Sequence, residues 1–367
     1  MSASDLTSYA AVQAPLFPGY ERPRAALSAW PRGGAGVDAD ITEARRLIAN
    51  DRAASTIDKY VRSWALFVAW VGENVPGIDA FPAHPALVGR YIGAMRLRGQ
   101  TRSWILGKLA AIAYAHDLLG FPKPWFTHPE LQREIKGLRR DGDRDRQERE
   151  GLDRTAASGV LGRLPAASSL LEIRDRAVFT LAWMTAQRRS TIAALRVRDV
   201  ALRADHVRNR RYIEVFIARS KTDQEGRGRW VVVTELPGDH PDVALCAVRA
   251  IERWLDAAGI RKDRDLPLFR TFPADEGLRM SERAIHPYDV ARIVKRLCAR
   301  AGLDPALYAA HSLRRGFAVS ADAAGVSRAL IMEQGGWVTS AMVDHYSRAG
   351  KARNNAIADL FSRKDES

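Results

Sequence analysis

Between Ser55 and Asn74 the chain reads "STIDKYVRSWALFVAWVGEN", and Ile57, Tyr60, Val61, Trp64, Phe67, Val68 and Val71 recur at steps of three and four. That period winds one apolar stripe along a helix, with Ser55 or Thr56 placed to cap its start. The pattern returns in "TRSWILGKLAAIAYAHDLLG", where Ile105, Leu109 and Ile112 share a face and Gly120 supplies a stop. "FPAHPALVGRYIGAM" predicts a further helix between the two. The first ordered third therefore reads as a small all-helical bundle. After it, "RRDGDRDRQERE" from Arg139 to Glu150 alternates charge without an apolar face, as an exposed connector does.

Beyond the connector two periods mix. The stretch "LEIRDRAVFTLAWMTAQRRSTIAALRVRDV" is helical in pattern, whereas "RYIEVFIA" and "RWVVVTEL" are rich in β-branched and aromatic residues and read as strands. The polar link "RSKTDQEGRG" joins those strands into a hairpin with a basic tip. "HPYDVARIVKRLCARAG" places Val290, Ile293, Val294, Leu297 and Cys298 on one helical face and Arg292, Lys295, Arg296 and Arg300 elsewhere. The expected organisation is an aperiodic arm over 1–40, a helical domain over 41–140, a charged linker over 141–152 and a second, mostly helical domain with a small antiparallel sheet over 153–367. No internal repeat is evident.

Charge narrows the function. Fifty-seven Lys and Arg against 43 Asp and Glu leave the 367-residue chain at a formal +14, with a pI near 10.1, the electrostatic footprint of a polyanion partner such as nucleic acid. Cys246 and Cys298 are the only cysteines, too few for a disulfide framework, and the start "MSASDLTSYA" has neither a basic beginning nor an apolar signal core. No run approaches the apolar length of a membrane span. A cytoplasmic protein with no membrane partner is expected. The sequence carries no P-loop pattern, no HExxH, no CxxC pair and no G-x-S-x-G, which leaves nucleotide hydrolysis, zinc chemistry and serine acyl transfer without a motif.

Cations and one phenol remain as candidate chemistry. In "HSLRRGF", His311 and Arg314 are three apart and share a helix face, so an imidazole and a guanidinium could grip one phosphate. Arg188 lies in "TAQRRSTIAAL", Lys221 in the hairpin tip, Trp337 just after Gly335 and Gly336, and Tyr346 on a short helix opened by Thr339 and Ser340. Taken singly, each has a plainer reading: a solvated surface cation, a buried ion pair or a core aromatic.

Their order, Arg, Lys, His-x-x-Arg, Trp and Tyr, resembles that of the tyrosine site-specific recombinases, or phage integrases, and among them the Cre-like enzymes. "HSLRRG", "AGVS", "GGW" and the final tyrosine carry the resemblance in the second domain, and "RSW" and "FPKP" carry it in the first. The resemblance implies a two-domain C-shaped clamp, a helical core-binding domain followed by a tyrosine-recombinase catalytic domain. Tyr346 would be the nucleophile that forms a 3′-phosphotyrosyl bond and releases a 5′-hydroxyl. Arg188 and Arg314 would hold the non-bridging oxygens, Lys221 would protonate the leaving oxygen, His311 would assist proton movement and the Trp337 indole N–H would donate to the phosphate. No metal, cofactor or ATP is implied. The implied partners are double-stranded DNA carrying inverted-repeat sites and three further copies of the chain in a tetramer on two sites, joined through the tail residues Ala356, Ile357, Leu360 and Phe361. Thr56, Lys59, Arg62, Arg102, Ser103, Lys108 and Arg283 resemble groove-facing positions. Thr191 departs from the pattern, which has an acidic residue there, and Gln187 and Arg189 are less apolar than it expects. A type IB topoisomerase and a DNA-binding protein with an inactive recombinase fold are the rival readings.

Overall fold

A computed structural model describes residues 52, 54–126, 128–141, 149–207, 209–218, 228–273 and 279–344. The expected arm, most of the linker, Lys221, Tyr346 and the tail residues Ala356, Ile357, Leu360 and Phe361 lie outside them. The chain divides into two compact units, 1–146 and 147–367.

The first unit contains four described helices, α1 (Ala54–Asn74), α2 (Pro85–Leu97), α3 (Arg102–Leu119) and α4 (Pro129–Arg140). Trp64, Phe67 and Val71 of the stripe read on α1 are buried, and with Trp70, which lies outside that reading, they pack with Leu87, Tyr91 and Ile92 of α2 and Ile105, Leu109 and Ile112 of α3. Helix ends follow local chemistry. Thr101 caps α3 by accepting from the Trp104 N–H, and Gly120 ends it at φ 76, where a side chain would be strained. His84 and His128 cap α2 and α4, each followed by a proline at the first helical position, where a missing N–H costs nothing. Helix α4 was not foreseen, and it takes in Arg139 and Arg140, so the charged run begins inside a helix whose Leu131, Ile135 and Leu138 are buried.

The second unit holds α5 (Arg154–Gly162), α6 (Leu170–Met184), α7 (Arg189–Ala194), strands β1 (Val200–Asp205), β2 (Arg210–Ile217) and β3 (Arg229–Thr234), then α8 (Ala247–Ala257), α9 (Pro287–Arg300), α10 (Ala310–Ala323) and α11 (Arg328–Gly335). The predicted hairpin is β2 and β3, antiparallel with Phe216 opposite Trp230. β1 adds an edge strand with Val200 opposite Val215, giving the order β1-β2-β3. The sequence reading gives no strand there, only Val200 falling at the end of its helical run, because a short half-buried edge strand shows little alternation. Ile213, Val215, Ile217, Val231 and Val233 point into a core shared with α6, α8 and α9.

That helical run also breaks internally. α6 stops at Met184, and Ala186 adopts a left-handed φ of 51 with no glycine or proline to announce it. The break matters, because it sets Arg188 at the N-cap position of the next helix, where its side chain makes no capping bond.

Candidate active site

Helix α10 places His311 in its first turn, exposed, and Arg314 one turn later, only 2% exposed. An extended segment fixes this helix from outside. The Glu150 N–H donates to the Leu307 carbonyl (3.0 Å), the Leu152 N–H to the Ser312 carbonyl (2.9 Å) and the Arg154 N–H to the Ser320 hydroxyl (2.7 Å). Arg315 Nη1 donates to the Arg149 carbonyl at 3.0 Å. The two arginines of "LRRG" thus part company: Arg315 ties the segment down while Arg314 turns inward. Gly316 permits the approach, since a Cβ there would overlap the Leu152 carbonyl.

Arg314 reaches the place where two helices end. An α-helix leaves its last carbonyls without partners and carries partial negative charge there. Here the C-termini of α6 and α11 converge, and side chains supply the missing donors. Arg314 Nη1 donates to the carbonyls of Ala186 and Gly335, the latter at 2.5 Å. Gln334 Nε2 donates to the Met184 carbonyl (2.9 Å), and Gln187 Nε2 to those of Thr185 (2.6 Å) and Gln334 (2.9 Å). Arg229, at the start of β3, donates to the carbonyls of Glu333 (2.6 Å) and Gln334 (3.2 Å). Carbonyl acceptors of this kind satisfy N–H groups without cancelling the charge of a guanidinium.

Trp337 forms the floor. Its ring is 4% exposed and lies 3.9 Å from the Arg314 guanidinium, a cation–π geometry. The glycine pair explains how the indole gets there. A Cβ on Gly335 would run into the Trp337 six-membered ring, so only glycine lets the ring fold back on its own helix end. Gly336 turns the chain at φ 66, and a Cβ there would also meet Arg229 Nη2 at 2.8 Å. Only Gly336 breaks the helix, and Gly335 is its last residue. Beneath the site, Ala186, Ala318, Ile331, Trp337 and Val343 form a small core of their own. Val343 belongs to a helical turn over 340–344, which begins at Ser340 as expected. Arg328 pairs with Asp344 and with Asp322 (3.4 Å), holding that turn against α10 and α11. Val343 and Asp344 are thereby fixed three and two residues ahead of Tyr346.

Arg188 is half-buried at the N-cap of α7, two residues past the carbonyl that Arg314 grips. Burial first, with the nearby charge of Arg188 adding to it and Glu333 opposing, holds the Arg229 guanidinium below its ordinary pKa. Arg188, Arg229, Arg314 and Trp337 therefore belong to one cationic locus, with exposed His311 on the helix that carries Arg314. Thr191 is buried, and its N–H donates to the Arg188 carbonyl at 2.9 Å. Sequence reasoning passed over Arg229, Gln334 and Ala186. Gln187 did stand out as too polar for its place, and its cross-link between two helix ends is the reason. Arg229 gave no signal beyond its position after the hairpin. Among the described residues, no group of three or more His, Cys, Asp or Glu side chains is placed to hold a metal ion.

The residues singled out for groove contact fall in both units. On α1, Lys59 and Arg62 are exposed and Thr56 is half-buried. On α3, Ser103 is exposed, Arg102 donates to the Arg139 carbonyl of α4 (3.0 Å) and Lys108 donates to the Ser63 hydroxyl of α1 (3.1 Å) with its ammonium 4.5 Å from the Trp104 ring. Burial, then the like charge of Lys59, lowers the Lys108 pKa. In the second unit Arg283 is exposed, next to the isolated bridge between Arg270 and Ala284.

The model of the phage integrase family matches residues 160–353, which include the α6–α7 break, the hairpin, α10, α11 and Tyr346. This chain belongs to the phage integrase family. It is a tyrosine recombinase, and the fold agrees: mostly helical with one small antiparallel sheet. The recombinase is 28% identical to an integrase/recombinase XerD homolog of Selenomonas ruminantium, over 88% of this chain and 89% of that protein. It is 26% identical to the Cre recombinase of Escherichia phage P1, over 83% and 86%. Among solved structures, XerH recombinase bound to a palindromic difH substrate, a post-cleavage complex, superposes with a TM-score of 0.55 at 14% identity, covering 88% of this chain and 84% of that one. A pre-cleavage complex of XerH gives 0.52 at 13% identity, covering 81% and 78%. At those identities the likeness concerns the fold. The recombinase has, among its described residues, no helix long and apolar enough to cross a membrane.

Proposed function

We propose that this recombinase cuts and rejoins duplex DNA at specific sites through a 3′-phosphotyrosyl intermediate, with Tyr346 as nucleophile and without metal or ATP. The observation that carries the reading is Arg314: a guanidinium withdrawn from water, hydrogen-bonded to two helix ends and seated on Trp337, where it faces the element bearing Arg188. A cation held so firmly stabilises charge that grows on a phosphate without reorganising when the charge appears, and such preorganisation is usually the largest catalytic contribution. Arg188 would take the second non-bridging oxygen and Trp337 would keep Arg314 in register, its indole N–H turning to the phosphate on substrate binding. His311 would move a proton from the phenol, and Lys221, from the hairpin tip, would protonate the leaving 5′ oxygen. The covalent link conserves the phosphodiester energy, so a second 5′-hydroxyl can attack it and rejoin the strand.

Thr56, Lys59, Arg62, Arg102, Ser103, Lys108 and Arg283 would contact the same duplex. Four copies would act together on two inverted-repeat sites, joined by the apolar stripe Ala356, Ile357, Leu360 and Phe361. Truncation after Gly350 tests that stripe: synapsis should be lost while single-site binding persists. The bacterial and phage relatives support a cytoplasmic enzyme associated with the nucleoid. The catalytic reading is tested by incubating the chain with nicked duplexes carrying candidate inverted repeats, which trap the covalent complex. A protein–DNA adduct that is absent with Tyr346→Phe is expected, and turnover by the Phe variant would overturn it.

A further inference from the structure

The proposed chemistry uses Arg188 and leaves its neighbour without a task. Arg189 is exposed at the first position of α7, and its guanidinium lies 4.1 Å from the ring centroid of Tyr288, the second residue of α9. Tyr288 is itself 56% exposed, and its ring stacks on His286 at 5.3 Å with the planes 11° apart. Guanidinium, phenol and imidazole thus lie together across two elements, open to solvent.

Two features set this stack apart from an ordinary solvated arginine. Arg188 and Arg189 are neighbours in the chain, and the first turn of α7 offers them no acidic residue. No described carboxylate pairs with either arginine. The nearest acid of α9, Asp289, is already committed: it accepts from Arg292 Nη1 (2.7 Å) and from the His286 N–H (2.8 Å). Second, the tyrosine ring holds the Arg189 guanidinium against it at 4.1 Å, and a ring face takes no N–H hydrogen bond of the kind an oxygen acceptor would. Planar N–H edges beside an uncompensated positive pair fit the oxygens of a phosphate.

We propose that Arg189, held against Tyr288, binds the DNA phosphate adjoining the one that Arg188 holds, so that two neighbouring arginines fix consecutive links of the cleaved strand. This rests on the recombinase reading and adds a contact to it. The test measures binding of the full chain to a fluorescent duplex of arbitrary sequence across a KCl series. Each phosphate contact contributes about 0.9 to the slope of log K against log salt. Arg189→Ala should lower the slope by about that amount, and Arg189→Lys, which keeps the charge, should restore it. Tyr288→Leu should keep the slope and weaken binding about 2- to 5-fold, the worth of an exposed cation–π contact. The thermal midpoint should be the same in all three. A wild-type slope in Arg189→Ala overturns this inference alone. A wild-type chain whose DNA binding is absent or indifferent to salt overturns the recombinase reading along with it.

Discussion

Arg314 is a buried cation and Lys108 a half-buried one, and their surroundings differ in kind. Arg314 is clasped by two helix ends and an indole, its Nη1 donating to two carbonyls and its position fixed by Gly316, Gly335 and the small core under Trp337. Lys108 rests on Trp104 with one hydroxyl partner and the like charge of Lys59 close by, on a flexible stem. The first arrangement suits a group that must meet one phosphorus in one geometry. The second suits a group that adjusts to a groove. On the proposed function, chemistry would be preorganised and DNA contact by the first unit left adaptable.

The largest effect that follows is on Arg314. Arg314→Ala should lower single-turnover cleavage of a nicked duplex by about 10³-fold, the scale of losing a preorganised charge donor, while binding of uncleaved duplex changes little. Equal losses in both measurements would erase the contrast. Next comes Gly335→Ala, whose methyl group would displace Trp337. It should cost about 1–3 kcal/mol in chemical denaturation, as overpacking does, and should slow cleavage although no catalytic atom is removed.

A third effect concerns the first unit. His116 is buried, accepts the Ala83 N–H at Nε2 (3.0 Å) and bonds the Ile112 carbonyl through Nδ1 (2.8 Å). Burial lowers its pKa, outweighing the raising effects of the Ile112 carbonyl and Asp117. The folded chain therefore keeps it neutral where the unfolded chain takes up a proton. Stability from this group is intact above its ordinary pKa of 6.5 and is lost as pH falls below that value, at up to about 1.4 kcal/mol per pH unit for one proton. Protection factors in α1–α3, with exchange corrected for its intrinsic pH dependence, should fall below that pH, while those around Arg314 should show no such step. The smallest effect is on Lys108: Lys108→Ala should reduce the salt slope of DNA binding by about 0.9 and leave the cleavage rate of bound duplex unchanged.

Much of this contrast was legible in the sequence and part was not. The α1 and α3 stripes, the β2–β3 hairpin and the α9 core face declared themselves by period, because each buries one regular face. The break at Ala186 did not, since an alanine carries no signature of a left-handed turn, and β1 was too short to alternate. At the site, His311, Arg314 and Trp337 stood out by type and spacing. The residues that hold them were silent: Arg229 and Gln334 act through long-range bonds to helix ends, which no local pattern encodes. The pair of glycines pointed to a tight turn, and the structure divides that work between Gly336 for the turn and Gly335 for the packing of the indole.

The central claim is that the cations around Arg314 serve a phenol attacking a DNA phosphorus. The direct test is to trap the protein–DNA adduct on a nicked duplex, digest it and locate the modified residue by mass spectrometry. The account predicts a 3′-phosphate linked to Tyr346 and a free 5′-hydroxyl on the released strand. A link to any other residue, or through the 5′ end, would contradict it.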